Sequence, residues 1–190
     1  MEKDLTHEKS LKIIYEMIET SKTNFKDNSF FFLLWGWLVL AASLIHFALL
    51  YTPCQYPFLP WPILMTAGAI ISVIAGYRMG KKSKVISQID KMMIYLWYGF
   101  LIVLIIIIAM TLTGNILWKT TYPLIILLYG LGTFVSGGML KFRPLITGGI
   151  SSWFIAIIAF LVPSHYVLLL TGLSILIAYL IPGYMLRNKA

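Results

Sequence analysis

From Asn28 to Tyr77 the chain reads NSFFFLLWGWLVLAASLIHFALLYTPCQYPFLPWPILMTAGAIISVIAGY, without one formally charged residue. A helix needs about 20 apolar residues to cross the hydrocarbon core of a bilayer. This stretch is long enough for two crossings. Its centre, Thr52-Pro53-Cys54-Gln55-Tyr56-Pro57-Phe58-Leu59-Pro60-Trp61-Pro62, carries four prolines and cannot be the interior of one continuous helix. The spacing therefore predicts one span at 29–51 and a second at 61–79.

The same pattern continues to the C-terminus. Uncharged runs separate Lys91 from Lys119, Lys119 from Lys141, and Arg143 from Arg187. Thr113-Gly114-Asn115 is a helix stop, and Pro163-Ser164-His165 divides the last run. Spans are expected at 92–113, 122–140, 144–162 and 165–186. Over all 190 residues, 59% are apolar and 12% charged, with a mean hydropathy of +0.86. Ordinary globular chains run at roughly 45–50% and about 25%. The composition excludes a soluble domain, a disordered segment and a nucleic-acid-binding protein. The fold class expected is all-α: six transmembrane helices in three hairpins (29–187), preceded by a cytoplasmic amphipathic helix (1–28).

Of the 15 Lys and Arg residues, 14 fall in the segments 1–28, 78–91, 141–143 and 187–190, and Lys119 alone falls in the opposite loops. The positive-inside rule puts the first set, and with it both termini, on the cytoplasmic side. Trp61, Trp118, Tyr122 and Tyr166 suit the outer interface, while Tyr95, Trp97 and Tyr98 suit the inner one. Lys81, Lys82 and Lys84 face an anionic inner leaflet in this orientation, although setting the topology is explanation enough for them. The first apolar run is too long for a cleavable signal, so the first span is expected to be the insertion signal. The single cysteine forms no internal disulfide.

Spans 2, 4 and 6 end alike, in Ala75-Gly76-Tyr77-Arg78-Met79-Gly80-Lys81, Ser136-Gly137-Gly138-Met139-Leu140-Lys141 and Pro182-Gly183-Tyr184-Met185-Leu186-Arg187. This is the mark of a repeated hairpin, a form common among transporters. Small residues at spacing four allow close helix approach. Gly68, Ser72 and Gly76 in span 2, Gly132 and Ser136 in span 4, and Gly148 and Ser152 in span 5 are the expected packing positions. In residues 5–26, Leu11, Ile14, Ile18 and Phe25 share a helical face amid mixed charge. Thr6 is a candidate N-cap. That face is expected to dock on the bundle or to bind a partner protein or second subunit at the cytoplasmic side. A shorter amphipathic segment before span 3 combines Val85, Ile89 and Met92, with Ser87 and Asp90 placed as a capping box.

Chemistry is sparse. No span carries an Asp, Glu, Lys or Arg at mid-depth, which argues against ion- or proton-coupled transport. A neutral pathway through Thr66, Ser72, Tyr129, Thr133, Ser151 and Ser152 remains open. His46, Cys54 and His165 would meet at the outer face, yet their spacing fits no zinc signature and a fourth ligand is missing, so no metal or other cofactor is expected. Neither a nucleophile–base pair nor a carboxylate cluster for Mg²⁺ is visible, so the chain is read as non-enzymatic.

Across Asn28-Ser29-Phe30-Phe31-Phe32-Leu33-Leu34-Trp35-Gly36-Trp37-Leu38-Val39 and Tyr56-Pro57-Phe58-Leu59-Pro60-Trp61-Pro62-Ile63-Leu64-Met65, the chain resembles a family of uncharacterised bacterial six-helix multi-pass membrane proteins. The resemblance implies a bacterial inner (cytoplasmic) membrane location and no chemistry. The paired helices are also similar in outline to the bacterial acid-resistance membrane proteins, without matching their residues. The function expected is that of an accessory or regulatory component acting through its N-terminal helix. The alternative is a small transporter or channel for a neutral or weakly polar solute.

Overall fold

The structure, a computed structural model, describes residues 28–82 and 88–189. The expected helix at 5–26, with its face of Leu11, Ile14, Ile18 and Phe25, lies outside the described residues, as do Val85 and Ser87. Among the described residues there are six helices long and apolar enough to cross a membrane, and no strands. They are α1 (Asn28–Leu49), α2 (Pro60–Lys82), α3 (Gln88–Leu112), α4 (Trp118–Met139), α5 (Arg143–Leu161) and α6 (Ser164–Arg187).

Contacts fix how successive helices run. Gly68 of α2 sits against Leu38 of α1, and Trp61 reaches His46, so these two are antiparallel. Thr111 meets Thr121 and Phe100 meets Tyr129 between α3 and α4. Gly130 meets Trp153 and Gly137 meets Ile146 between α4 and α5. Ser152 meets Ser174 and Gly148 meets Ala178 between α5 and α6. The connections 50–59, 113–117 and 162–163 thus lie at one end, the loop end, with Lys119. Arg78, Lys81, Lys91, Lys141, Arg143, Arg187 and Lys189 collect at the other, the charged end.

The core lies between α1, α4, α5 and α6, with Met93, Trp97 and Phe100 of α3 packed into it from one side. In the most apolar 18-residue stretch of each helix, half of α4 and 61% of α6 is buried, against 6% of α2 and of α3. Phe32, Trp97, Phe100, Tyr129 and Tyr179 form its centre, with successive ring centroids 5.2–6.4 Å apart in edge-on and tilted pairs. Such geometries add dispersion and quadrupole attraction to simple packing.

Glycines set the closest approaches. A Cβ on Gly149 would stand 2.7 Å from Gly130 O and 2.7 Å from Phe134 N, and one on Gly137 would stand 2.7 Å from Ile146 N. Helices α4 and α5 therefore touch backbone to backbone, and this tightest crossing joins the second expected hairpin to the third. On the other side of α6, a Cβ at Gly36 would meet Leu180 at 2.8 Å.

Two chain features shape the ends and the interior. α4 stops in a Schellman motif: Phe142 N–H donates to Gly137 O (2.9 Å), Lys141 N–H donates to Gly138 O (3.2 Å), and Lys141 adopts φ +50°. α6 widens into a π turn at Leu176–Leu180, immediately before Pro182. A proline lacks the N–H of the α-helical ladder, and its ring clashes with the carbonyl four residues back. The extra residue in the π turn gives that ring room.

Candidate functional site

Two groups of polar side chains could carry function: an imidazole with aromatic partners near the loop end, and hydroxyls within the bundle. His46, near the end of α1, is 9% exposed. Trp61, in the first turn of α2, donates its indole N–H to His46 Nδ1 over 2.9 Å. Tyr122 Oη of α4 stands 3.4 Å from the same nitrogen, and the Trp61 and Tyr122 rings are 5.8 Å apart. An indole N–H only donates, so Nδ1 presents its lone pair and the ring proton belongs on Nε2. The group ties three helices together: α1, α2 and α4.

The other two members of the expected trio stand apart from this group. Cys54 and His165 are exposed, His165 stacking with Tyr166 at 4.2 Å. Among the described residues no three His, Cys, Asp or Glu side chains are arranged to hold a metal ion. His46 instead takes the aromatic partners Trp61 and Tyr122, which by sequence alone suit the outer interface.

The hydroxyls turn inward on the protein itself. Thr133 donates to Tyr129 O (2.8 Å), Thr171 to Val167 O (2.8 Å) and Ser152 to Gly148 O (3.1 Å), each one turn back in its own helix. Ser174 donates to Ser152 Oγ (2.9 Å), clamping α6 to α5, and Ser43 of α1 donates to Leu168 O of α6. Ser151 bonds Thr147 O, and Thr66 is exposed on the outside of α2. Among the described residues, Tyr179 Oη and Ser136 Oγ are buried without a hydrogen bond, as is Ser72 Oγ.

The expected packing positions divide. Gly68 seats Leu38 and Trp35, Gly132 faces Phe100 and Trp97 at 3.5 Å, and Gly148 lies against the backbone of the π turn, where a Cβ would stand 2.9 Å from Ala178 Cα. Ser136 and Ser152 are fully buried. Gly76 departs from the expectation: among the described residues, a Cβ there meets nothing within 4 Å. The residues that sequence reading missed are Gly130, Gly149 and Trp153, the last seated over Gly130 and donating to Leu127 O (3.2 Å). The seven-residue spacing of Gly130 and Gly137 was their available signal.

No protein-family model, curated protein or solved structure matches the chain.

Proposed function

We propose that this is a multi-pass protein of the bacterial cytoplasmic membrane, with both termini cytoplasmic. It works without catalysis, as an accessory or regulatory component that binds a partner through the N-terminal face of Leu11, Ile14, Ile18 and Phe25. Six long apolar helices and the collection of cations at one end support the membrane placement. The broad exposed apolar surface of α2 and α3 suits lipid.

One observation carries the non-transporting role. The hydroxyls of Ser43, Thr133, Ser152, Thr171 and Ser174 between α1, α4, α5 and α6 are hydrogen-bonded to backbone carbonyls or to one another, and glycines bring the backbones together. A bundle built this way is a packed scaffold for holding a segment at its surface. Removal of residues 2–26 tests it. In-cell crosslinking of the full chain should capture a protein at its charged end, and the truncated chain should lose that product while still entering the membrane. An unchanged product would overturn the assignment of the N-terminal face.

A transporting role rests on a different observation, the buried hydroxyls of Tyr179 and Ser136 without partners, which a polar solute could engage. Solute flux that survives removal of residues 2–26 and falls in Tyr179→Phe would favour it.

A further inference from the structure

At the charged end, an open groove of about 350 Å³ lies between Phe30 of α1 and one face of α2. Phe30 forms one wall. Ile71, Ile74, Ala75 and Met79 of α2 form the other, and Arg78 stands at the charged end. Positions 71, 74, 75 and 78 share one helical face. Among the described residues Arg78 has no ion-pair or hydrogen-bond partner; Lys81, one turn on, holds its Nζ 4.5 Å over the Tyr77 ring. No carboxylate occurs in the sequence between Asp27 and Asp90.

From this juxtaposition we infer that the α1–α2 groove holds one anionic phospholipid, its phosphate on Arg78 and an acyl chain along Ile74 and Ile71 against Phe30. The inference rests on the membrane placement proposed above, with the charged end in the cytoplasmic leaflet. Charge and shape argue together. A guanidinium matches a phosphate in two parallel hydrogen bonds, which an ammonium cannot do. From Arg78 to Ile71 the helix rises about 10 Å, against about 15 Å for the hydrocarbon half-thickness of a bilayer. The apolar face of α2 therefore runs through most of the depth that a lipid chain occupies beneath its headgroup. Basic pockets between helices on the cytoplasmic side are known to take anionic headgroups. Gly76, with nothing within 4 Å, belongs to this same loosely packed half of α2.

The test begins with the full chain purified in mild detergent, after flotation with vesicles has confirmed insertion; a chain that does not float refutes the membrane placement itself and not merely the groove. Phosphatidylglycerol and phosphatidylcholine are then titrated in competition and retained lipid is counted by native mass spectrometry. One phosphatidylglycerol should be retained at least tenfold over phosphatidylcholine. Arg78→Gln should abolish that preference. Ile74→Trp, at a position 48% exposed where the larger ring can be accommodated, should fill the groove and lower retention as strongly. Lys91→Gln, outside the groove, should leave it within twofold. Equal losses in Arg78→Gln and Lys91→Gln would reduce the effect to diffuse surface charge and overturn the site. Retention that rises when residues 2–26 are removed would assign the groove to the chain's own N-terminal segment instead.

Discussion

The indole nitrogen of Trp61 donates to His46 Nδ1 over 2.9 Å, joining two residues only 15 apart in sequence but on antiparallel helices. The bond closes the α1–α2 connection at the loop end, where Tyr122 of α4 approaches the same imidazole. Since so little of α2 is buried, this tie and the seat of Leu38 and Trp35 on Gly68 are its principal anchors on the bundle. One end of α2 is therefore latched while the other stands open over the groove at Arg78.

The latch has a measurable worth. Hydrogen bonds between membrane helices average about 0.6 kcal/mol and reach about 1.7. A double-mutant cycle with Trp61→Phe and His46→Leu should give a coupling energy in that range, read from reversible unfolding in detergent micelles. His46→Gln, which keeps an acceptor, should recover part of it. Strict additivity of the two single losses would show that the bond contributes nothing.

Gly149 and Gly76 look alike in the sequence and should behave as opposites. A Cβ at Gly149 would come within 2.7 Å of Gly130 O and Phe134 N, both backbone atoms that cannot swing aside. Overpacking of this kind ordinarily costs about 1–3 kcal/mol, more than the gain of about 1 kcal/mol that alanine brings to a helix interior. Gly149→Ala should lower the melting temperature clearly, and Gly149→Val should prevent folding. Gly76→Val should leave melting within a degree or two. Equal sensitivity at the two positions would place another helix against Gly76.

These contrasts mark what the sequence could and could not convey. The charge-free runs delimit the long apolar helices, since a charge at bilayer depth would be costly, and the helix ends that fall inside the described segments lie within four residues of the expected limits. α4 starts at Trp118, ahead of Pro123, because proline six residues into a helix removes one hydrogen bond without ending it. The stripe of Gly68, Ser72 and Gly76 shows that a close neighbour is permitted there, but which helix supplies one depends on the assembled bundle. The site at His46 was half legible. Its imidazole stood out as a polar group in an apolar span, while its partners Trp61 and Tyr122 carry the ordinary signature of interface aromatics.

The turn between α4 and α5 offers a stabilising change. Gly114 closes α3 in the same six-to-one arrangement that Lys141 closes α4: Asn115 N–H donates to Met110 O (3.0 Å), and Gly114 adopts φ +79°. Glycine takes this conformation freely, whereas a residue with a Cβ incurs roughly 1–2 kcal/mol. Lys141→Gly should therefore stabilise the bundle by about 1 kcal/mol, and Gly114→Ala should cost about as much. Both are read from the shift in unfolding midpoint. A destabilised Lys141→Gly would mean that the lysine's own contacts outweigh its backbone strain.

Orientation can be read with a residue already in place. Cys54, the one cysteine of the chain, is exposed in the α1–α2 connection, at the loop end with Lys119 and away from Arg78, Lys81, Lys91, Lys141, Arg143, Arg187 and Lys189. If the charged end faces the cytoplasm, a membrane-impermeant maleimide should label Cys54 in intact spheroplasts. A Cys54→Ser, Lys189→Cys chain should resist the reagent until the membrane is permeabilised, because Lys189 sits beside Phe142 at the opposite end. The reverse pattern would invert the protein. The groove at Arg78 would then open to the outer leaflet, and residues 1–27 would be removed from any cytoplasmic partner. Labelling of both chains in intact spheroplasts would mean that Cys54 and Lys189 are not on opposite sides of the bilayer.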